Sequence, residues 1–207
     1  MLTIFYIVLG FIIFIVAIAF IWRFTSLPCP AWLGWLVEMD NPFFKNSSTQ
    51  AIIQHLNLQP GMRVLDYGCG PGRLTIPIAK QIGPAGEVMA LDIQSDMLKR
   101  VRRKAQLENL GNIQFMLKGA GESKLDNERF DRVLLVTVLG EIPEQCIALK
   151  KIFASLKPGG FLSITEIIAD PHFQSRKNVT QVANSVGFVE KDFFGNRLTF
   201  TINFEKP

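Results

Sequence analysis

The stretch Val64-Leu65-Asp66-Tyr67-Gly68-Cys69-Gly70-Pro71-Gly72-Arg73 constrains this chain more than any other. Its apolar start reads as a buried strand, and three glycines at alternate positions follow. Beyond them Leu74, Ile78, Ala79 and Ile82 recur at helical spacing. Strand, glycine turn and helix together bring bare backbone against a ligand and aim free helix N–H groups at it. Such a turn can cradle a nucleotide-like group, and its spacing decides which. The dinucleotide fingerprint G-x-G-x-x-G uses its third glycine to pack helix against strand. Counted from Gly68 and Gly70, that place falls on Arg73, and the third glycine comes one residue early, at Gly72.

Around this turn, strands and helices alternate. Residues 63–66, 87–92, 113–117, 130–138 and 161–167 read as strands, with helical apolar spacing between them. The run 130–138 is almost continuously apolar, as a parallel strand covered on both faces requires. Ser47 or Ser48 opens a helix ending at His55, which is expected on the surface, and Ser95 is placed to cap another. Ile142, Cys146, Leu149, Phe153 and Leu156 mark a helix stopped by Pro158-Gly159-Gly160. Val179, Val182, Ala183 and Val186 mark one more, followed by a strand at 188–193. Near the end, Leu198, Phe200, Ile202 and Phe204 alternate with Arg197, Thr199, Thr201 and Asn203, the period of a half-exposed, antiparallel strand. The class is α/β: a doubly wound, mostly parallel seven-stranded sheet with an antiparallel last strand.

The first charged residue is Arg23. From Ile4 to Trp22 the chain is almost wholly aliphatic and aromatic, and as a helix at about 1.5 Å per residue it would be roughly 28 Å long. A hydrocarbon core is about 30 Å thick, so residues 2–22 are expected to form a single transmembrane helix. A cleaved leader at Ala17 and Ala19 is the rival, but no basic segment precedes the run and the run continues past Ala19. Arg23 and the basic residues beyond it place the catalytic domain on the cytoplasmic side of a single-pass protein. Residues 23–46 read as a connector, with Trp32 and Trp35 at headgroup level or on the domain edge, and as a possible substrate lid. Residues 47–207 form the domain. Cys29, Cys69 and Cys146 are scattered, which argues against a disulfide framework or a zinc site. A net charge of +4 does not by itself indicate nucleic acid, and no aromatic stacking platform accompanies the basic run Lys99, Arg100, Arg102, Arg103 and Lys104. That run reads as a solvated helix face or as a contact for an anionic leaflet.

The D-x-G-x-G-x-G spacing resembles motif I of the class I S-adenosylmethionine (SAM) methyltransferases. Residues 88–93 are similar to the acidic-strand motif of that superfamily, 130–142 to its fourth-strand motif and 156–162 to its fifth, in the same order. Within the superfamily the chain looks most like small-molecule and lipid enzymes such as the quinone-ring methyltransferases. The resemblance implies that backbone at Gly68, Gly70 and Gly72, with Tyr67 and Cys69 between, lies along the methionine part of SAM. It implies that Asp66 meets the ammonium group, that Asp92 holds the ribose, and that Ile93 and Met97 lie near the adenine. On position alone Asp92 reads as a solvated strand-end carboxylate; behind this glycine loop, an acid ending the second strand about twenty residues past the last glycine suits a ribose. Many relatives carry an Asp where this chain has Ala120, and Glu122 or backbone can substitute.

Methyl transfer from a sulfonium is an in-line displacement in which positioning does much of the work. A base is needed only where the acceptor must lose a proton. Glu141, Glu166 and His172, all near the carboxyl ends of strands, are the candidates, each also readable as structural or substrate-orienting. The expected protein is a membrane-anchored, SAM-dependent methyltransferase acting on a small amphiphilic or lipid-like acceptor, with no metal and no nucleic-acid partner. A membrane-anchored SAM-binding protein without turnover and an NAD-dependent oxidoreductase are the alternatives.

Overall fold

The computed structural model describes residues 6, 9, 10, 30, 34, 38–40, 45–119 and 125–207. Five α-helices lie within the described residues of 45–207: α1 (Thr49–His55), α2 (Thr75–Ile82), α3 (Ser95–Leu107), α4 (Gln145–Ser155) and α5 (Arg176–Val186). The strands are β1 (Arg63–Tyr67), β2 (Glu87–Asp92), β3 (Ile113–Leu117), β4 (Phe130–Val136), β5 (Leu156–Ile167), β6 (Val189–Gly195) and β7 (Thr199–Glu205). They form one sheet in the order β3-β2-β1-β4-β5-β7-β6, with β7 antiparallel to both neighbours and the first five strands parallel. The expected seven-stranded, mostly parallel sheet is therefore present.

Side-chain alternation divides the core between two faces. Leu65, Leu135, Ile164 and Phe200 pack with Leu149, Ile152, Val179 and Ala183 of α4 and α5. Val64, Val88, Ala90 and Leu134 pack with Ile52, Ile78, Ile82, Leu98 and Val101 of α1 to α3. Each such fully buried aliphatic side chain contributes about 1.5–3 kcal/mol. Strand order reverses between β1 and β4, and a doubly wound sheet opens its ligand crevice at the carboxyl ends beside that point.

Four local expectations are corrected. Leu156 opens β5 in extended conformation instead of continuing α4, which ends at Ser155. Strand β7 is buried on both faces, not one: Thr199, Thr201 and Asn203 are as inaccessible as Phe200 and Ile202. Its place between β5 and β6 is the reason, and the polar face is absorbed by contacts such as Thr165 Oγ1 to Thr201 Oγ1 at 2.8 Å and Asn203 Nδ2 donating to the His55 carbonyl at 2.9 Å. Ser95 is the first residue inside α3, while Gln94 holds the cap position in extended conformation; Ser48 and Ser175 do cap α1 and α5. His55 is half-buried, its ring stacked on Phe194 with centroids 3.7 Å apart, and burial lowers its pKa.

Among the described residues no helix is long and apolar enough to cross a membrane. Residues 2–22 lie outside that set except for Tyr6, Leu9 and Gly10, which are helical, so the expected span falls on residues not described. Trp32, Trp35, Ala120 and Glu122 also fall outside it.

Candidate functional site

Strand β1 delivers Asp66 and Tyr67 to the carboxyl edge, and the glycine loop turns directly after them. Gly68, Gly70 and Gly72 have φ of 75°, 52° and 87°, a region that favours glycine. Gly68 and Gly72 also have a packing role. A Cβ on Gly68 would lie 2.5 Å from Val138 Cγ2, and one on Gly72 would lie 3.0 Å from Val101 Cγ2 of α3. A Cβ on Gly70 would meet nothing within 4 Å. The loop is thus closed behind by two valines and open at its middle glycine, as a cradle for a close-lying ligand requires.

The loop is tied to the end of β2. Gly68 N and Cys69 N donate to the Leu91 carbonyl at 2.8 and 2.9 Å. Asp92 accepts from Gly70 N through Oδ2 and from Gln94 N through Oδ1, both at 2.8 Å. Two backbone donors orient this carboxylate while leaving acceptor capacity on both oxygens. Beside it Ile93 is 59% exposed, an apolar surface next to a polar grip, whereas Met97 is buried under Gly34. Asp66 is buried and accepts from Thr75 Oγ1 at 2.6 Å. Burial, reinforced by the charge of Asp92, pushes the Asp66 carboxyl up to about 6 against the opposing effect of that hydrogen bond. Burial also raises Asp92 and the Cys69 thiol, which argues against Cys69 as a nucleophile.

The second group gathers where β4 and β5 end. Thr137 follows β4 with φ of 55°, unusual for a β-branched residue, and its N–H donates to Thr165 O at 2.9 Å. Val138 then reaches Gly68, and Gly140 lies so close under the His172 carbonyl that no side chain fits. Through this wedge Glu141, Glu166 and His172 do come together. His172 Nδ1 lies 4.0 Å from Glu141 Oε1 and 3.9 Å from Asp170 Oδ1. Glu166 is 1% exposed; its Oε2 accepts from Gln174 N at 3.0 Å, and its Oε1 is buried with no hydrogen-bond partner. Burial, with the nearby charges of Asp170 and Glu141, pushes its carboxyl up to about 8.

Sequence reasoning missed Asp170 and Thr75. Asp170-Pro171-His172 carried a signal: Asp170 Oδ1 accepts His172 N at 2.7 Å, the turn that an Asp before Pro favours. Thr75 carried none, because its role depends on α2 passing under β1. The basic run on α3 is partly consumed internally: Lys99 pairs with Asp96, Lys104 with Glu38, and Arg102 lies over the Phe115 ring at 4.7 Å.

Residues 58–197 match the Methyltransferase domain family (Methyltransf_31), and the chain belongs to that family. The demethylmenaquinone methyltransferase of Staphylococcus carnosus is 37% identical over 109 residues, 53% of this chain and 44% of that protein. That of Listeria welshimeri is 32% identical over 124 residues, 60% and 52% respectively. The chain thus spans about half the length of these curated relatives. A SAM-dependent methyltransferase from Aquifex aeolicus superposes with a TM-score of 0.76 at 19% identity, covering 87% of this chain and all of that one. A Haemonchus contortus phosphoethanolamine N-methyltransferase, solved with phosphomonomethylethanolamine and S-adenosylhomocysteine, superposes at 0.61 and 20% identity over 70% of this chain and 37% of that one. At these identities the structures establish the fold alone. The family match adds the class: a methyltransferase domain.

Proposed function

We propose that this protein moves a methyl group from SAM to a small amphiphilic acceptor, with an isoprenoid quinol ring as the preferred class. The observation that carries the reading is the joining of Asp92 to Gly70 across the mouth of an open glycine loop, an arrangement shaped for a ribose and the chain attached to it. The curated relatives, named for a prenylated quinone, support the acceptor class.

Asp92 would hold the ribose and Ile93 one face of the adenine, with Met97 beneath. Asp66, Tyr67, Gly68, Cys69, Gly70 and Gly72 would line the methionine part. SAM supplies an electrophilic methyl on a sulfonium. The chain binds and orients the acceptor at the ends of β4 and β5, excludes water there, and receives a proton where the acceptor must lose one. Glu141, Glu166 and His172 are the groups in position for that last task. Residues 47–207 form the catalytic domain and 23–46 the connector to a membrane span at 2–22, with the domain cytoplasmic; the apolar run and Arg23 support this part.

Full-length protein in vesicles, given radiolabelled SAM and chemically reduced demethylmenaquinone, should yield a labelled quinone. Absence of transfer together with tight NAD binding would overturn the assignment. A truncation starting near Thr25 should bind the donor unchanged but lose activity on vesicle-embedded acceptor. Equal activity would remove the substrate role of the span.

A further inference from the structure

Arg73 stands where a dinucleotide loop would carry its third glycine, and nothing in the transfer chemistry above uses it. Its side chain is only 13% exposed. Nη1 donates to Asp40 Oδ1 at 2.9 Å and to the Ser47 carbonyl at 3.1 Å. The same Asp40 oxygen accepts from Thr49 N and Thr49 Oγ1, both at 2.9 Å. One carboxylate oxygen therefore joins the first residue of α1 to the glycine loop. A second tie lies alongside it: Lys104 Nζ donates to the Pro71 carbonyl within the loop at 2.8 Å and pairs with Glu38 Oε1 at 3.0 Å. A third contact is steric. Gly34 is buried against α3, where a Cβ would lie 2.9 Å from Arg100 Nη1 and 3.4 Å from Met97 Sδ.

All three anchor points belong to the glycine loop or to α3, the elements that bound the crevice. We propose that Arg73 and Lys104 are positioning residues that hold the chain at Glu38 and Asp40 against the glycine loop, so that donor binding and docking of that chain stabilise one another. The proposal rests on the donor reading above. Linkage between two such equilibria is reciprocal: a loop shape favoured by docking is favoured by the donor, and the donor in turn favours docking. Partial exposure keeps the device reversible. Asp40 is 46% exposed and Lys104 and Glu38 are each 33% exposed, and ion pairs so open to water are individually weak. An arginine in place of the fingerprint glycine thus reaches outward to the chain that precedes the domain.

Hydrogen exchange at the Thr49 amide reads the docking directly. That amide lies in the first turn of α1, beyond the reach of any helical carbonyl, and Asp40 is its acceptor. With S-adenosylhomocysteine as the probe on the full-length protein, Thr49 exchange should slow by about five- to tenfold, the lower range for coupled sites. The glycine-loop amides should slow with it. In Arg73→Gln the loop amides should still respond while the Thr49 response disappears, and probe affinity should fall by about fivefold. Lys104→Gln should lose part of the response through its separate anchor. Asp40→Asn cuts the Arg73 pair from the exposed side and carries the same expectation as Arg73→Gln. A Thr49 response preserved in Arg73→Gln would overturn the coupling, as would one absent from the unmodified protein whose loop amides respond. Failure of the probe to bind at all would remove the donor reading and the coupling with it.

Discussion

On the glycine-loop side of the crevice, the buried carboxylates already have donors: Asp66 from Thr75, and Asp92 from Gly70 and Gln94. Where β4 and β5 end, Glu166 keeps one oxygen buried without a partner, and Asp170 and Glu141 add negative charge around it. Both regions are buried and acidic, yet only the second leaves a buried carboxylate oxygen without a donor among the described residues. The glycine loop has its carboxylates oriented by the fold, with acceptor capacity left on Asp92 for a ligand. The second region holds unspent hydrogen-bonding capacity at high local cost, and a buried polar atom without a partner is tolerated at a site that meets one during function. On the proposed function, the donor side is satisfied within the fold and the acceptor side is completed by the acceptor.

The contrast can be broken most forcefully at Asp92. Asp92→Ala removes the carboxylate that joins the loop to β2, and S-adenosylhomocysteine affinity measured by titration calorimetry should fall by about 100-fold or more, as loss of charge-assisted hydrogen bonds implies. A change under about threefold would show that the loop holds its ligand without that grip.

Glu166 comes next. Its folded-state pKa, about 8, stands above the ordinary value of 4.5, so the native protein holds this proton more tightly than the unfolded chain does. The associated stability is fully present below pH 4.5 and is lost as pH rises to about 8. Glu166→Gln cannot titrate, and its stability should fall less between pH 5 and 9, by roughly 4 kcal/mol in denaturant melts. Parallel pH profiles for the two proteins would show that Glu166 is an ordinary carboxylate.

Gly68→Ala should cost about 2 kcal/mol, because φ is positive there and the new methyl meets Val138. The smallest effect belongs to Thr75→Val, which leaves Asp66 without its hydroxyl donor; a loss of about 1 kcal/mol is expected, together with a further rise in the Asp66 pKa visible by carboxyl NMR. If Asp66 does not move, its surroundings rather than Thr75 govern its charge.

Most of the sheet was legible because each strand is short, apolar and bounded by turn residues. The strands at 87–92 and 113–117 match the structure to the residue. The glycine turn and the acid that closes β2 were legible for the same reason: they lie at set distances along the chain. Strand β7 was misjudged because alternation of apolar and polar residues reports chemistry, not exposure. Thr165 and Thr201 bond to each other, and Asn203 Nδ2 donates to the His55 carbonyl, across elements far apart in sequence.

What the sequence by itself determined is the α/β class, the order of elements and the glycine turn with Asp66 and Asp92 around it, since local periodicity and backbone sterics act over a few residues. Only the tertiary structure decided that Val138 and Val101 close the loop from behind, that Arg73 reaches Asp40, and that Asp170 joins Glu141, Glu166 and His172. Those contacts arise where separate strands end side by side. Partners brought together by packing leave no spacing in the chain from which to read them.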